Sequence, residues 1–281
     1  MTSAVFCFTI LRCSRPFAVL VKSFAIHFLL QSGGGLFYCI ILCRWSPLGV
    51  FGTERYGVYF MQTKPLLLAP SLLAVDFSAI GEKIEILEKA SVPWLHLDVM
   101  DGAFVPNISF GQPLIKSLRK KTDMFFDVHL MINEPCRYLE SFKDAGADLI
   151  CIHVEATKDA EADLKAIKAL GARCGVAIKP ATPVSSIKHL LPLLDLALVM
   201  SVEPGFGGQK FMPVAVDKIK ELAALRDDMG LDFHIEVDGG IGADNARLVY
   251  EAGADVLVAG SSVLGKEDIA AAAAAITESV K

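Results

Sequence analysis

Two pairs of side chains in this sequence have the types and spacing to hold a metal ion and move protons. In the stretch HLDVMDG (96–102), Leu95, Leu97 and Val99 alternate with His96, Asp98 and Met100. Period 2 belongs to a strand, so the apolar triplet and the triplet with His96 and Asp98 lie on opposite faces. The same alternation puts His129 on the mixed face of DVHLMI and Asp238 on that of HIEVD. Two imidazoles and two carboxylates suit one divalent ion, Zn, Fe, Mn or Co. Taken singly, each histidine reads as a satisfied core residue. Four donors that agree in parity and strand-end position read as a site.

Other residues fall on the same face. Met100, Met131 and Met200 end three strands and form either plain core packing or a dry, polarizable site wall. Glycine-rich turns follow three late strands: EPGFGGQ (203–209), DGGI (238–241) and AGSS (259–262). Glycine lets backbone N–H groups approach an anion closely, and such loops cradle phosphate. The first turn is long enough to be a lid. Asp101 leaves the strand with Gly102 and reads as a turn residue.

What must position these groups is a chain of repeated strand–helix units. Strands are expected at about 66–73, 94–100, 125–131, 149–155, 174–179, 196–202, 233–238 and 256–260. Helices are expected between and after them, at about 77–90, 112–121, 135–145, 159–170, 184–191, 213–228, 243–252 and 266–279. Asp76 or Ser78 can cap the first helix, and Pro135 opens the third. AGAD recurs at 145–148 and 252–255, a glycine ending a helix and an aspartate opening a strand.

Eight such units fit a (β/α)8 TIM barrel, with the strand carboxyl ends forming one rim. A doubly wound open sheet, the structural rival, needs strands that are apolar on both faces. Here one face is mixed: Asp127, His129 and Met131; Cys151, His153 and Glu155; His234, Glu236 and Asp238. These inward polar groups must satisfy one another, and Lys179 is a candidate to face the acids.

The 281 residues carry a net charge of −5, which argues against a basic nucleic-acid binder. Residues 1–60 differ from the rest. They hold Arg12, Arg15, Lys22, Arg44 and Arg55 against Glu54 alone, with four of the seven cysteines. Their apolar runs, Phe17–Leu30 and Leu36–Cys43, fall short of the ~18 unbroken apolar residues of a membrane helix. They read as an apolar, basic extension, non-native or targeting, and residues 61–281 as one barrel domain. No CxxC pair occurs, so the cysteines read as reduced thiols.

Together the motifs resemble the ribulose-phosphate 3-epimerase family. The matching segments are LAPSLLAVDF (68–77), LHLDVMDGAFVPNISFG (95–111), DVHLMI (127–132), VMSVEPGFGGQKF (199–211), EVDGGI (236–241) and VAGSSV (258–263). The resemblance spans about residues 64–280 and omits 1–60. It implies that His96, Asp98, His129 and Asp238 ligate one divalent metal, and that Asp98 and Asp238 are the two acid/base groups. It further implies substrate contacts from Ser71, His129, Gly205, Phe206, Gly207, Gly208, Asp238, Gly239, Gly240, Gly260 and Ser261. The implied reaction is inversion at C3 of D-ribulose 5-phosphate to give D-xylulose 5-phosphate, in the pentose phosphate pathway. The partner is a phosphorylated ketopentose, with no nucleic acid and no membrane for the barrel. A cytoplasmic homo-oligomer is expected.

Three rivals remain at this level. A 3-epimerase of a hexulose 6-phosphate could carry the same site. A decarboxylase or aldolase of this barrel type resembles a D-x-K-x-x-D motif, and no lysine lies between Asp98 and Gly102. A non-catalytic barrel would have no need of four ligands. Fold alone does not separate them.

Overall fold

The computed structural model describes residues 64–281 in full and, of residues 1–63, the backbone of 5–6, 23–32 and 35–44. The chain forms two compact units, Met1–Lys64 and Pro65–Lys281. In the first, β1 (Val5–Phe6), β2 (Ser23–Ser32) and β3 (Gly35–Arg44) make an antiparallel sheet in that order. The other expectations for residues 1–60 lie outside the described residues.

The second unit is a TIM barrel. Its strands are β4 (Leu67–Pro70), β5 (Trp94–Met100), β6 (Phe125–Met131), β7 (Leu149–His153), β8 (Arg173–Ile178), β9 (Leu196–Met200), β10 (His234–Asp238) and β11 (Val256–Ala259). All pair in parallel in the order β4-β11-β10-β9-β8-β7-β6-β5. A parallel bridge between Ser71 and His96 joins the two ends of that order. The helices are α1 (Ile80–Lys89), α2 (Gln112–Arg119), α3 (Leu139–Ala145), α4 (Ala160–Ala169), α5 (Val214–Asp228), α6 (Ala246–Ala252) and α7 (Ile269–Ser279). No helix among the described residues is long and apolar enough to cross a membrane.

Alternation along each strand sorts the core into two layers. Leu95, Leu97, Val99, Phe126, Val128 and Leu130 point outward into one large apolar cluster shared with the helices. Inside the barrel, Trp94, Leu149, Leu196, Leu198, Val256 and Val258 fill the space around the polar residues. Truncating an outward residue such as Leu97, wholly buried, to alanine costs about 2–5 kcal/mol.

The helix expected at 184–191 is instead two 3-10 stretches, Val184–Ser186 and Lys188–Leu193. Pro192 sits inside the second, where its ring and missing N–H oppose an α-helical turn. The first strand ends at Pro70, three residues early, because Ser71 Oγ accepts from Leu73 N and turns the chain into a 3-10 helix. The fourth strand stops at His153, so Glu155 lies in the following 3-10 turn, Val154–Ala156.

The AGAD repeat is a matched pair of staples at the amino ends of the strands. Gly146 and Gly253 end α3 and α6 at φ 112° and 118°, which disfavour other residues. Asp148 then takes Arg119 of α2 and the N–H of Phe126. Asp255 likewise takes Arg226 of α5 and the N–H of Ile235, and also His234. Each aspartate ties its own strand to the preceding strand and to the helix before that.

Candidate active site

The register across the barrel rim brings the donors together. Asp98 on β5 stands opposite His129 on β6, two residues beyond the pair His96 and Asp127. His96 Nε2 lies 3.2 Å from Asp98 Oδ1, 3.3 Å from His129 Nδ1 and 4.0 Å from Asp238 Oδ2. His129 Nδ1 lies 3.1 Å from Asp98 Oδ1. One donor atom from each of the four falls within 4.8 Å of all the others. Four atoms about 2.0–2.2 Å from one tetrahedral ion are about 3.3–3.6 Å apart. The donor set and its spacing therefore fit a divalent metal.

The rings are pinned from behind. His96 Nδ1–H donates to Asp127 Oδ2 at 2.5 Å, leaving Nε2 for the shared centre. His129 Nε2 lies 2.9 Å from His153 Nε2, and His153 Nδ1–H donates to Glu155 Oε2 at 3.1 Å. Ser71 Oγ donates to the outer oxygen of Asp98 at 2.5 Å.

Charge is divided unevenly among the carboxyls. Burial pushes Asp98 up, but the field of His96 and the close ring nitrogens of His129 and His96 outweigh it and hold its carboxyl well below the usual range. Burial, reinforced by Asp98, pushes Asp238 up to about 6. For His96, burial favours the neutral ring, but Asp98 and Asp127 raise its pKa well above the ordinary value. Burial and the nearby Asp127 push Glu236 well above the usual carboxylate range. Burial lowers His153 to about 4, keeping that ring neutral. Glu155 falls to about 2: its burial is outweighed by hydrogen bonds from His153, Thr182 and the N–H of Lys179.

A cavity opens above the donors. Ser71, Asp98, Met100, Met131, Met200, Gly205, Phe206, Gly207, Gly208, Asp238, Gly239, Gly240, Gly260 and Ser261 all line it. His96 and His129 do not; both are wholly buried beneath its floor. Met100 and Met131 pack with Val105 against Leu73 and Phe104, whereas Met200 belongs to the barrel interior. Phe206 is 55% exposed at the tip of the long glycine loop.

Two glycines fit no other residue. Gly239 has φ 123°, and a Cβ there would meet Val202 at 2.6 Å. Gly240 has φ 63°, and its Cβ would meet the backbone N of Phe211 at 2.5 Å. Those contacts let the 203–209 loop come down on the 238–241 turn. Asn107 Nδ2–H donates to Gly205 O at 2.8 Å, tying that loop to the one after β5. Asp101 accepts from the N–H groups of Ala103, Phe104 and Asn133, so it is a turn residue that joins two rim loops.

Lys179 does not meet the interior acids. Its ammonium lies 4.0 Å from the centre of the Phe104 ring. The positive partner of Asp127 and Glu236 is His96, whose Nδ1 lies 2.5 and 3.6 Å from them. A lysine one residue past the end of β8 is too near the rim to reach them. Asp127, Glu236, His153 and Glu155 fall on inner faces by alternation, which gives them no function beyond satisfying one another. Their signal was position: Asp127 and Glu236 each lie two residues before a donor.

Residues 67–264 match the model of the ribulose-phosphate 3 epimerase family. A ribulose-phosphate 3-epimerase of Bacillus subtilis is 47% identical over 202 residues, 72% of this chain and 93% of that protein. One from Synechocystis is 45% identical over 219 residues, 77% of this chain and 95% of its relative. A solved 3-hexulose-6-phosphate synthase superposes with a TM-score of 0.57 at 18% identity, covering 78% of this chain and 100% of that one. At that identity the likeness concerns the barrel alone. By its matched span and its close relatives, this chain belongs to the ribulose-phosphate 3-epimerase family, a family of isomerases.

Proposed function

We propose that this chain interconverts D-ribulose 5-phosphate and D-xylulose 5-phosphate by proton transfer at C3. The observation that carries the reading is the pair Asp98 and Asp238. Both donate to one four-residue donor set, both line the cavity, and their carboxyls differ in proton affinity.

Inverting a carbon that bears a proton requires an acceptor on one face and a donor on the other. Asp98 comes from β5 and Asp238 from β10, three strands round the barrel, so substrate between them meets a carboxyl from each side. Asp98, held ionised, takes the C3 proton. Asp238 returns a proton to the opposite face. In the reverse direction the two exchange roles. Ser71 Oγ steadies the Asp98 carboxylate through its outer oxygen. Met100, Met131 and Met200 keep water from the reacting carbon.

A divalent ion held by His96, Asp98, His129 and Asp238 would supply Lewis acidity to the oxygens flanking that carbon. The N–H groups of the turns at Gly239, Gly240, Gly260 and Ser261 suit the substrate phosphate. Gly205 to Gly208, with Phe206 exposed, form the movable cover. The same reading assigns the enzyme to the pentose phosphate pathway in the cytoplasm, as a homo-oligomer.

The test is a panel of pentulose and hexulose 5- and 6-phosphates, with metal analysis of the same sample. The expected result is fastest turnover of D-ribulose 5-phosphate by protein holding one divalent ion per chain. Preference for a hexulose 6-phosphate would overturn the substrate assignment. Full activity in metal-free protein would overturn the role of the ion.

A further inference from the structure

Behind His129 lies a second histidine that the proton transfer does not use. His153 is wholly buried, and its two ring nitrogens are both committed. Nε2 lies 2.9 Å from His129 Nε2, and Nδ1 lies 3.1 Å from Glu155 Oε2. Glu155 is itself held: Oε1 accepts from the N–H of Lys179 at 2.8 Å and from Thr182 Oγ1 at 2.5 Å. The Phe104 ring covers His153, with centroids 4.9 Å apart.

Hydrogen counting fixes the arrangement. An ionised carboxylate only accepts, so Glu155 takes the one N–H of the neutral His153 ring at Nδ1. His153 Nε2 is then a bare acceptor. Two nitrogens 2.9 Å apart share one hydrogen, which must sit on His129 Nε2. His129 Nδ1 is left bare, facing Asp98 and His96 at 3.1 and 3.3 Å. That is the form in which an imidazole ligates a metal.

We propose that His153 and Glu155 are positioning residues that write the tautomer of His129 and so set the affinity of the site for its divalent ion. The inference rests on the metal reading given above. It also sets His129 apart from His96, whose N–H goes straight to a carboxylate. Glu155 acts on the ion through two imidazole rings.

The decisive variant is Glu155→Gln, which keeps the size and the acceptor for Lys179 N–H and Thr182. Its amide turns an N–H toward His153 Nδ1. His153 then carries its hydrogen on Nε2, and His129 is driven to the form with hydrogen on Nδ1, against the ion. His153→Leu removes the acceptor. His153→Gln restores it, since its carbonyl accepts from His129 while its amide donates to Glu155.

The measurement is the dissociation constant for Zn²⁺ on the full metal-freed chain, by competition with a chromophoric chelator. Thermal unfolding of each metal-free protein reports the fold. Glu155→Gln and His153→Leu are expected to weaken binding by about 10–100-fold, with His153→Gln recovering most of the loss. If His153→Leu does not fold, Glu155→Gln decides. A folded Glu155→Gln that binds Zn²⁺ within about twofold of the unaltered chain would overturn this inference and leave the metal reading standing. An unaltered chain that takes up no divalent ion would overturn both.

Discussion

Asp98 and Asp238 bring carboxylate oxygens within 4.8 Å of each other, yet their surroundings treat their protons in opposite ways. At Asp98, burial is outweighed by His96 and His129, and the carboxyl is held ionised. At Asp238, burial and the nearby Asp98 charge raise the carboxyl to about 6. Two like groups with separated proton affinities are the arrangement that gives one acid and one base.

Replacing either aspartate by asparagine is therefore expected to stop epimerisation. Losing a general acid or base costs about 10²–10⁴-fold in rate. Exchange of the C3 proton with deuterated solvent separates the two. With metal retained, each variant keeps the base for one face, so Asp98→Asn and Asp238→Asn should differ in which epimer exchanges. Near-normal conversion by either variant with metal bound would refute the two-base assignment.

The raised Asp238 carboxyl makes metal uptake pH-dependent. An ion competes with that proton for the carboxyl, so affinity is expected to rise with pH and to rise most steeply below about 6. The same shift acts on the metal-free fold. The folded carboxyl binds its proton more tightly than the unfolded one, so its contribution to stability falls as pH climbs from about 4 through about 6. Metal-free Asp238→Asn should then exceed the metal-free parent in stability at pH 7, by on the order of 2 kcal/mol, and match it below pH about 4. Chelator competition and denaturant melts across that range check both; affinity flat with pH contradicts the first, and an unchanged gap the second.

The AGAD staples should differ in strength. Arg226 and Asp255 are both buried, at 2.6 Å, so Asp255→Asn leaves a buried cation without its counter-charge and should cost about 3–5 kcal/mol. Asp148 and Arg119 are partly open to solvent, and Asp148→Asn should cost about 1 kcal/mol. Urea unfolding of the two variants at neutral pH measures the difference. Equal losses would mean that burial does not set the strength of these staples.

Residues 1–60 are proposed to be dispensable, since every strand of the barrel and every donor lies after Met61. A chain starting at Met61 is expected to match the full chain in solubility and turnover. Failure to fold, or loss of most activity under matched conditions, would show that the extension serves the barrel.

Much of the barrel could be read from residue order because alternation is local. His96 and Asp98 announce their shared face within seven residues, and so do Asp127 with His129 and Glu236 with Asp238. What could not be read depends on contacts across the barrel. Glu236 on β10 and Asp127 on β6 meet around His96 although their strands are not neighbours, and no spacing records that. The path from His129 through His153 to Glu155 needs a strand that ends at His153 and a turn that swings Glu155 back. The 184–191 segment is helical by its apolar pattern, but Pro192, just past it, lies in the 3-10 stretch Lys188–Leu193 and opposes an α-helical turn there through its backbone.

The most direct test of the central claim is to incubate the metal-loaded protein with D-ribulose 5-phosphate in deuterium oxide and follow the sugar by proton NMR. D-xylulose 5-phosphate is expected to accumulate with deuterium at C3 and at no other carbon. Conversion without deuterium at C3, or no conversion by protein shown to hold its metal, would contradict it.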